Sequence, residues 1–519
     1  MKTYMKTMVS KMKKTGLIIG IIAVLLPLSS CTDLNETLYS KLGNENFLNT
    51  DEEIASALGA VYSGLRSFQD FGNVWTIYCT TDEVAIVGRT AGDWAGDGQD
   101  QQMTDHTWIA NNRLFKGTWG AFFGQVNTCN RLIYQLENID AEKYVDYISE
   151  VKTVRALWYL WLIDFWGNVP VIDKYDVPQD YLPATNTRKE VYDFIEKEAL
   201  ENMSKLVKEK STSTYARADY WTAQAILAKL YLNAEVYTGT PQWQKALNAC
   251  NEIINSGKFA MTSTYRENFI SKNEGSSEAI FAIPFDAIYT EWAWILPLLS
   301  LHYESQKTFN LTNSPWNGLS VQTEFFYLYE DDDIRKHDNF LWGPQYSSTG
   351  EPLIDTDDYE LDPARDPDPQ VNFTPTFLSL YDTARESGAR IKKWEIEFGG
   401  NGFLSSDFFV FRYSDILLMK AEILWRMNPA NTEALNLVNL FRQRAGIEAF
   451  DALSEQDLLD ERGRELFMES WRRSDKIRFG QYNDPTIFKP WTSEAFRRLY
   501  PIPKEQLDAN PNLRQNPGY

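Results

Sequence analysis

The sequence predicts a mainly α-helical protein in which helical hairpins form a scaffold for a long, loop-rich insert. Apolar side chains recur with helical spacing within residues 50–257 and again within 408–480. Short turns rich in glycine, proline and asparagine separate successive stripes. Residues 260–405 lack this periodicity, and loops of such length usually carry binding residues. We therefore expect residues 50–519 to form one domain with a ligand-binding insert at 260–405.

The first thirty residues are typical of a bacterial signal peptide. Five lysines and no acidic residue precede an uncharged stretch, Leu17 to Leu28, that is too short to span a bilayer. Leu28-Ser29-Ser30-Cys31 follows and resembles the lipobox of bacterial lipoproteins, in which the cysteine is lipidated. We expect Cys31 to be a lipid anchor that holds the chain on a membrane, with residues 31–49 as a tether. The open alternative is a cleaved secretory signal with an incidental Cys31.

The helical stripes come in pairs joined by short turns. The clearest pair runs from Ala223 to Ala234 and from Trp243 to Ile254, where Gly257 ends the second helix. The same design recurs from Leu417 to Trp425 and from Ala434 to Ala445, ended by Gly446. Antiparallel helices of this length, with small residues at their crossing points, resemble tetratricopeptide units. Further stripes begin at Ile54, Val151 and Val191, and Ile280–Ile283 has the composition of a short strand.

Composition and cysteine count exclude several classes of protein. A formal net charge of −21 argues against a nucleic-acid binder, because phosphate contacts need clustered cations. The chain has no apolar run long enough for a polytopic membrane protein. Beyond Cys31 only Cys79, Cys129 and Cys250 remain, which allows at most one disulfide. Pairing of Cys79 with Cys129 stays open, and Cys250 lies on an apolar helical face where we expect a buried thiol.

A set of sequence blocks occurs in a fixed order along the chain. The blocks are Arg155-Ala156 with Phe165–Pro170, Glu190–Ile195, Ala225–Leu232, Glu278–Phe281, Arg412–Glu422, Asn439–Gly446, Glu461–Arg472, Pro501–Pro503 and Gln515–Tyr519. They span nearly the whole mature chain, and together with the lipobox they are far more specific than any one of them. In this order they resemble the SusD/RagB family of outer-membrane lipoproteins.

This resemblance implies a fold and a function. The fold is about four tetratricopeptide-like helix pairs with a loop-built subdomain. The function is capture of a nutrient, usually an oligosaccharide or polysaccharide, at the cell exterior and its delivery to a SusC-like TonB-dependent transporter in the outer membrane. The resemblance also implies that the hairpins face the transporter, while loops 72–112 and 285–320 face the ligand. A peptide cargo remains an alternative, because some members of the family are tied to peptide uptake.

Two loop regions supply the candidate ligand-binding residues. In the first loop the resemblance implies Asp82, Arg89 and Trp94, with Asp97 as a weaker candidate. An equal alternative is that Asp82 and Arg89 pair with each other to fix the loop.

The second region holds Tyr289 and Trp292, followed by Trp316 and Asn317 in a Pro-Trp-Asn-Gly turn. Sugar rings present apolar faces that stack on tryptophan and tyrosine, while their hydroxyls need polar partners. For Tyr289 and Trp292, packing of a short amphipathic segment is the alternative.

Other conspicuous residues have structural interpretations. Trp158, Trp161, Trp221, Trp243 and Trp425 lie on predicted helices and are expected in the core, while Trp342 and Trp394 stay undecided. The charged C-terminal blocks are expected to form ion pairs between helices rather than a catalytic pair. These residues are Glu422, Arg442, Glu461, Arg462, Glu465 and Arg472.

Catalysis, metals and cofactors are not predicted. A surface glycoside hydrolase needs two facing carboxylates, and nothing in the pattern selects a pair. The sequence contains no Gly-x-Ser-x-Gly nucleophile elbow. Its three histidines do not have the spacing of metal ligands. Clustered carboxylates at 355–368 suit Ca²⁺, but their spacing does not match a calcium loop, so we predict no metal. A protein-binding adaptor is the remaining rival, since helical hairpins commonly dock peptides.

Overall fold

A computed structural model describes residues 50–356 and 369–519 together with Leu48. Cys31, the rest of the lipobox and most of the acidic loop at 355–368 lie outside these residues. Residues Asp51–Tyr519 form one compact unit. Within the described residues no helix combines the length and the apolar character needed to cross a bilayer.

The described chain is mainly helical, which confirms the predicted fold class. The helices of its first half are α1 (Asp51–Gly64), α2 (Phe71–Tyr78), α3 (Gln101–Asp105), α4 (Arg113–Asp140), α5 (Val145–Phe165), α6 (Arg188–Met203), α7 (Tyr220–Leu232), α8 (Ala234–Thr238) and α9 (Trp243–Asn255). The helices of its second half are α10 (Leu296–Ser300), α11 (Gln306–Phe309), α12 (Thr323–Phe326), α13 (Ile334–Asn339), α14 (Tyr413–Met427), α15 (Thr432–Ala445), α16 (Glu455–Glu465), α17 (Arg472–Arg478) and α18 (Lys504–Ala509).

The helix boundaries follow from capping chemistry. Helix α7 begins at a capping box in which the Asp219 carboxylate accepts from the Thr222 amide, and Thr187 and Glu190 form the same motif at α6. Helix α15 ends at Gly446, whose φ of 79° suits the left-handed conformation that closes a helix. The predicted helices from Ala223, Trp243, Leu417 and Ala434 are therefore confirmed within a few residues.

The scaffold is a series of helices, each packed on the next. The order is α4, α5, α6, α7, α9, α14, α15 and α16, so the series continues across the break between Asn255 and Tyr413. Helix α4 is the longest in the described chain and was missed by the periodicity analysis. Its buried face mixes Thr118 and Asn130 with Trp119, Phe122 and Cys129, which weakens the apolar signal.

Within the described residues, eight short strands form four antiparallel pairs. The strands are β1 (Val84–Ile86), β2 (Ala279–Ile283), β3 (Leu319–Val321), β4 (Phe340–Leu341), β5 (Gly343–Pro344), β6 (Asn372–Phe373), β7 (Arg390–Ile391) and β8 (Phe408–Arg412). Strand β2 confirms the strand predicted at Ile280–Ile283, and it pairs with β8 to close the base of the insert. Strand β1 pairs with β3 and thereby ties the first loop to the insert.

A buried network of ion pairs joins the C-terminal helices to the sheet. Arg412 on β8 contacts Glu278, Glu465 and Glu469 at 2.6–3.0 Å, and all four side chains are almost completely buried. All six residues expected in structural ion pairs are found in them, which confirms that prediction. Although burial opposes its ionisation, Arg335 and Arg464 hold the pKa of Glu461 at about 2.

The three described cysteines are free thiols in the interior. Cys79, Cys129 and Cys250 are all buried, so Cys79 and Cys129 form no disulfide, and the buried Cys250 thiol is as expected. Burial raises the pKa of Cys129 and Cys250 to about 12. These thiols therefore act as small apolar side chains.

Candidate ligand-binding site

Pairing of β1 with β3 brings the two predicted loop regions together. The strands run antiparallel, with Ile86 opposite Leu319, and the Val87 amide donates to the Gly318 carbonyl at 3.0 Å. In an antiparallel pair, the residues after one strand lie beside the residues before the other. Trp94 and Trp316 are consequently neighbours although they are far apart in the sequence.

Four aromatic side chains meet there and form what we call the aromatic surface cluster: Phe71, Trp94, Trp292 and Trp316. Trp292 and Trp316 are stacked, with ring centroids 6.1 Å apart and planes 25° apart. The Phe71 ring meets Trp316 edge-on, with ring centroids 6.0 Å apart, and is tilted against Trp94, with centroids 6.4 Å apart. Each ring is partly exposed, and the Trp292 side chain is 53% exposed. Such a group of accessible rings suits a ligand with flat apolar faces.

Trp94 is held by contacts on three sides. Its backbone has a φ of 58° between Gly92 and Gly96, which also adopt positive φ. The indole Nε1 donates to the Trp316 carbonyl at 2.5 Å, and the ring meets buried Trp75 edge-on at 6.0 Å. Trp94 therefore both supports the Trp316 turn and presents one part of its ring to solvent.

Gly318 is the residue against which the Trp94 ring lies, and we expect Gly318→Ala to displace that ring. A Cβ at this position would stand 2.5 Å from the indole, closer than side-chain atoms approach. Overpacking of this kind lowers the free energy of unfolding by about 1–3 kcal/mol. Denaturant unfolding measures the loss, and the near-ultraviolet circular dichroism should change.

Gly120→Ala is the matched control for Gly318→Ala. Gly120 lies on the exposed face of α4, and a Cβ added there would have no other atom within 4 Å. Alanine at this position should therefore stabilise the helix by about 0.5–1 kcal/mol. Equal unfolding free energies for the two variants would contradict the packing of Trp94 on Gly318.

Trp292 and Tyr289 lie in a turn held by Asp286. The Asp286 carboxylate accepts from the amides of Ile288 and Tyr289, and these two backbone contacts hold its pKa below the usual range. Trp292 has a φ of 65° and packs on Phe403 with ring centroids 4.9 Å apart. Tyr289 is 88% exposed, so the packing alternative does not hold for it, and its role in binding stays a prediction.

Arg89 is not available to a ligand, which corrects its assignment as a binding residue. The side chain is 1% exposed and donates to the carbonyls of Asn317 and Ser387 at 2.9 and 2.8 Å. It also donates to the Ser320 hydroxyl at 2.7 Å. Arg89 therefore holds the β1–β3 region together from inside.

Asn317 is corrected in the same way. It is completely buried. Its side-chain Nδ2 donates to the Arg385 carbonyl at 2.9 Å, and its side-chain Oδ1 accepts from Arg390 at 2.8 Å. Its φ of 61° shapes the turn that exposes Trp316. Asn317 thus positions the neighbouring ring and does not face a ligand.

Asp82 lies in a different place from the aromatic surface cluster. Its carboxylate accepts from Arg472 at 2.7 and 2.8 Å and from Lys476 at 3.1 Å, so it does not pair with Arg89. Although burial opposes ionisation, these two bases hold the pKa of Asp82 well below its usual range. Asp82 lines a separate cleft of about 310 Å³ with Glu324, and we correct its assignment to a structural ion pair.

The remaining candidate, Asp97, is exposed close to Trp94 in the sequence. It accepts from the amide and the side chain of Gln99 at 3.1 and 2.6 Å. Nothing in the structure tests its role with a ligand, so Asp97 stays a prediction.

Phe71 is the member of the cluster that sequence analysis missed. It begins α2, where the Asp70 carboxylate accepts from the Phe71 amide. Phe71 is exposed, and the signal available in the sequence was Asp70, a favourable N-cap residue directly before it.

The other tryptophans are mostly interior. Trp158, Trp161, Trp221 and Trp394 are buried, while Trp243, Trp342 and Trp425 are half-buried. The predicted core position is thus confirmed for the three on α5 and α7.

No cluster suited to a metal ion is found within the described residues. At the start of the acidic loop, Asp355 accepts from His302 at 3.1 Å and contacts Arg385 at 3.2 Å. The residues at 357–368 lie outside the described part, so the question of Ca²⁺ in that loop stays open to experiment.

Comparison with known protein families gives two matches. A model of the SusD family matches residues 379–519, and a model described as starch-binding associating with outer membrane matches residues 35–232. The starch-binding protein SusD of Bacteroides thetaiotaomicron is 24% identical over 82% of this chain and 82% of its own length. A SusD-like protein of Formosa agariphila is 24% identical over 94% of this chain and 97% of its own.

Solved structures share the fold. Surface glycan-binding protein A of Bacteroides thetaiotaomicron, in complex with laminarihexaose, superposes with a TM-score of 0.71 at 21% identity. The match covers 90% of this chain and 99% of that one. A laminarin-binding SusD-like protein superposes with a TM-score of 0.70 at 20% identity, over 91% and 100% of the two chains.

Proposed function

Because the chain belongs to the SusD/RagB family, we propose that it is a cell-surface lipoprotein that binds a glycan and delivers it to a SusC-like TonB-dependent transporter. The observation that carries the proposal is the aromatic surface cluster. Three separate segments converge to expose Trp94, Trp292 and Trp316 beside one another. Exposed groups of apolar rings on a folded protein usually mark a surface that binds a ligand or another molecule.

The chemistry around the cluster suits a sugar chain. The apolar C–H faces of pyranose rings stack on indole and phenyl rings, and their hydroxyls donate to carboxylates. Asp93 directly precedes Trp94 in the sequence and is exposed. Its carboxylate accepts a hydrogen bond from the Tyr303 hydroxyl at 2.7 Å and can accept further hydrogen bonds. Relatives support this choice, since one is a starch-binding protein and another was solved with laminarihexaose.

The role we propose is binding without catalysis. Glycoside hydrolysis needs one carboxylic acid with a raised pKa and a second carboxylate across the bond. In the described residues burial raises the pKa of Glu83 to about 8 and of Asp219 to about 6, but both are buried and accept from the interior amides of Met468 and Thr222. Burial also raises the pKa of Glu324, which lines the cleft of Asp82 and not the aromatic surface cluster. The starch-binding protein SusD and surface glycan-binding protein A are binding proteins by name as well.

Lipidation of Cys31 is the attachment that we propose, with the protein at the outer face of the outer membrane. The lipobox at 28–31 supports this anchor. The name of the family model that matches residues 35–232 supports the outer-membrane location. In this arrangement the helical series faces the transporter and the aromatic surface cluster faces the incoming glycan.

Calorimetric titration of the full-length protein in detergent tests the proposed function. The titrants are plant, host and microbial polysaccharides and a mixture of peptides, and released reducing ends are assayed in parallel. We expect heat from one class of polysaccharide and no release of reducing ends.

The other outcomes separate the alternatives. Heat from peptides alone would show that the cargo is a peptide and not a glycan. Release of reducing ends would indicate a hydrolase. No heat from any titrant would contradict binding by the isolated chain.

A further inference from the structure

The segments that build the aromatic surface cluster carry exposed charges of one sign. Residues 70–99, 284–296, 313–318 and 396–404 supply the rings and their immediate supports. The acidic side chains of these segments that reach solvent at least in part, Asp82 aside, are Asp70, Asp93, Asp97, Asp286, Glu291 and Glu397. The one basic residue in these segments is Arg89.

Arg89 does not offset this acidity at the surface. Its guanidinium is buried against backbone carbonyls of Asn317 and Ser387. A ligand lying on the rings therefore meets carboxylates and no guanidinium or ammonium group from the segments that form the surface.

Bases in adjoining elements are mostly matched by acids. Arg113 pairs with Asp100 at 2.8 Å, Arg385 pairs with Asp355 at 3.2 Å, and Lys307 pairs with Glu304.

Two more bases approach one end of the region. Arg66 donates to the Pro284 carbonyl at 2.7 Å, and the charge of Lys272 acts on Asp286. Each thus has a carbonyl or an acid of the region as its neighbour.

Several of the acids are not neutralised. Within the described residues Asp70 and Glu291 form no ion pair, whereas the charge of Arg113 acts on Asp97. Glu291 directly precedes exposed Trp292. An excess of exposed acids in the segments that carry the rings makes the potential of this region negative, which repels anions at low ionic strength.

We propose that the aromatic surface cluster is selective for uncharged glycans and rejects sulfated or uronic-acid glycans of similar backbone. This inference rests on the proposed function and narrows it to a substrate class. Binding energy comes from stacking on the rings, which every pyranose offers, and the exposed acids of the same segments repel polymers that carry negative charge.

Paired polymers test this selectivity. Full-length protein in detergent is titrated with laminarin, starch, xylan and mannan, with the carboxymethyl derivative of each, and with alginate, polygalacturonate and heparin. We expect a neutral polymer to bind about tenfold more tightly than its carboxymethyl derivative at about 20 mM salt. The difference should fall below about threefold at about 0.5 M salt, because screening then shortens the reach of the acids.

A charge reversal identifies the acids as the cause. Glu291→Lys should raise the ratio of affinity for the carboxymethyl derivative over its neutral parent about fivefold at low salt. Glu201→Lys, an exposed site on α6 outside these segments, makes the same change of net charge and should leave that ratio as it was.

Two outcomes would overturn the inference in distinguishable ways. An anionic polymer that binds as tightly as any neutral one at low salt would overturn the selectivity and leave glycan binding intact. Failure of every polymer, neutral and anionic, to bind would overturn the proposed function itself and this inference with it.

Discussion

Replacing Arg412 with alanine should lower the free energy of unfolding by about 3–5 kcal/mol. The Arg412 side chain is completely buried and holds Glu278, Glu465 and Glu469 at 2.6–3.0 Å. Its Nη2 also donates to the Glu465 carbonyl at 2.7 Å. Removing the guanidinium takes one positive charge away from three buried carboxylates. Arg444 still contacts Glu278 and Glu465, and Lys393 still contacts Glu469, but each acid loses a charged partner in a medium of low dielectric, which is costly.

The cost should depend on pH in a defined direction. Arginine partners hold the pKa values of Glu278 and Glu465 below the usual range against the effect of burial. A depressed folded-state pKa stabilises the protein above the unfolded-state pKa of about 4.3, and this stabilisation is lost as the pH falls towards the folded value. The difference between wild type and Arg412→Ala should therefore be largest near neutral pH and shrink below about pH 4.

Denaturant unfolding at several pH values measures this difference. Arg131→Ala is the control, because Arg131 is exposed on α4 and its loss should change stability by less than about 0.5 kcal/mol. An unfolding free energy for Arg412→Ala within about 1 kcal/mol of wild type at pH 7 would show that the network contributes little to stability.

Local signals in the sequence were sufficient to predict the helices of the scaffold. The stripe from Ala223 and the glycine after Ala445 are properties of neighbouring residues, and helices depend on such short-range order. The spacing of Glu461 and Glu465, one helical turn apart, indicated that both acids share a face of α16, and both contact Arg335 there.

Predicting the geometry of the binding region required long-range contacts, which local sequence patterns do not reveal. Strands β1 and β3 have three residues each, are buried throughout and show no alternation, so their pairing cannot be recognised from either segment. That pairing decides which loop residues face solvent. Trp94 and Trp316 are partly exposed, as expected of a tryptophan among glycines or in a turn with no helix to bury it, and their role in binding stays a prediction.

The prediction failed for three polar residues of the same loops, Asp82, Arg89 and Asn317. Asp82 and Arg89 are seven positions apart in the sequence, yet the carboxylate turns towards α17 and the guanidinium turns inward to Ser320. A polar residue in a loop serves equally well as a ligand contact or as a clamp on backbone carbonyls. Only the three-dimensional partners separate these roles, and for Arg89 and Asn317 the partners are interior carbonyls.

Truncation of Trp316 should weaken glycan binding by about 1–3 kcal/mol, which is about 5- to 150-fold in the dissociation constant. Trp316 is the central ring of the aromatic surface cluster, since it contacts both Trp292 and Phe71. Trp316→Ala removes its own stacking face and also the ring on which Trp292 rests. Trp292→Ala removes a more exposed ring with fewer neighbours, so we expect the smaller loss within the same range.

These losses must come from the surface and not from unfolding. The Trp94 indole donates to the backbone carbonyl of Trp316, a contact that Trp316→Ala retains, so the loop should keep its path. Trp491→Ala removes another exposed tryptophan outside the cluster and should bind the glycan as wild type does. Calorimetric titration of the three variants with the polysaccharide that binds wild type, alongside their thermal unfolding, makes the comparison. Wild-type affinity in both Trp316→Ala and Trp292→Ala would place the glycan on a different surface, because no ligand that stacks on these rings would be indifferent to losing them.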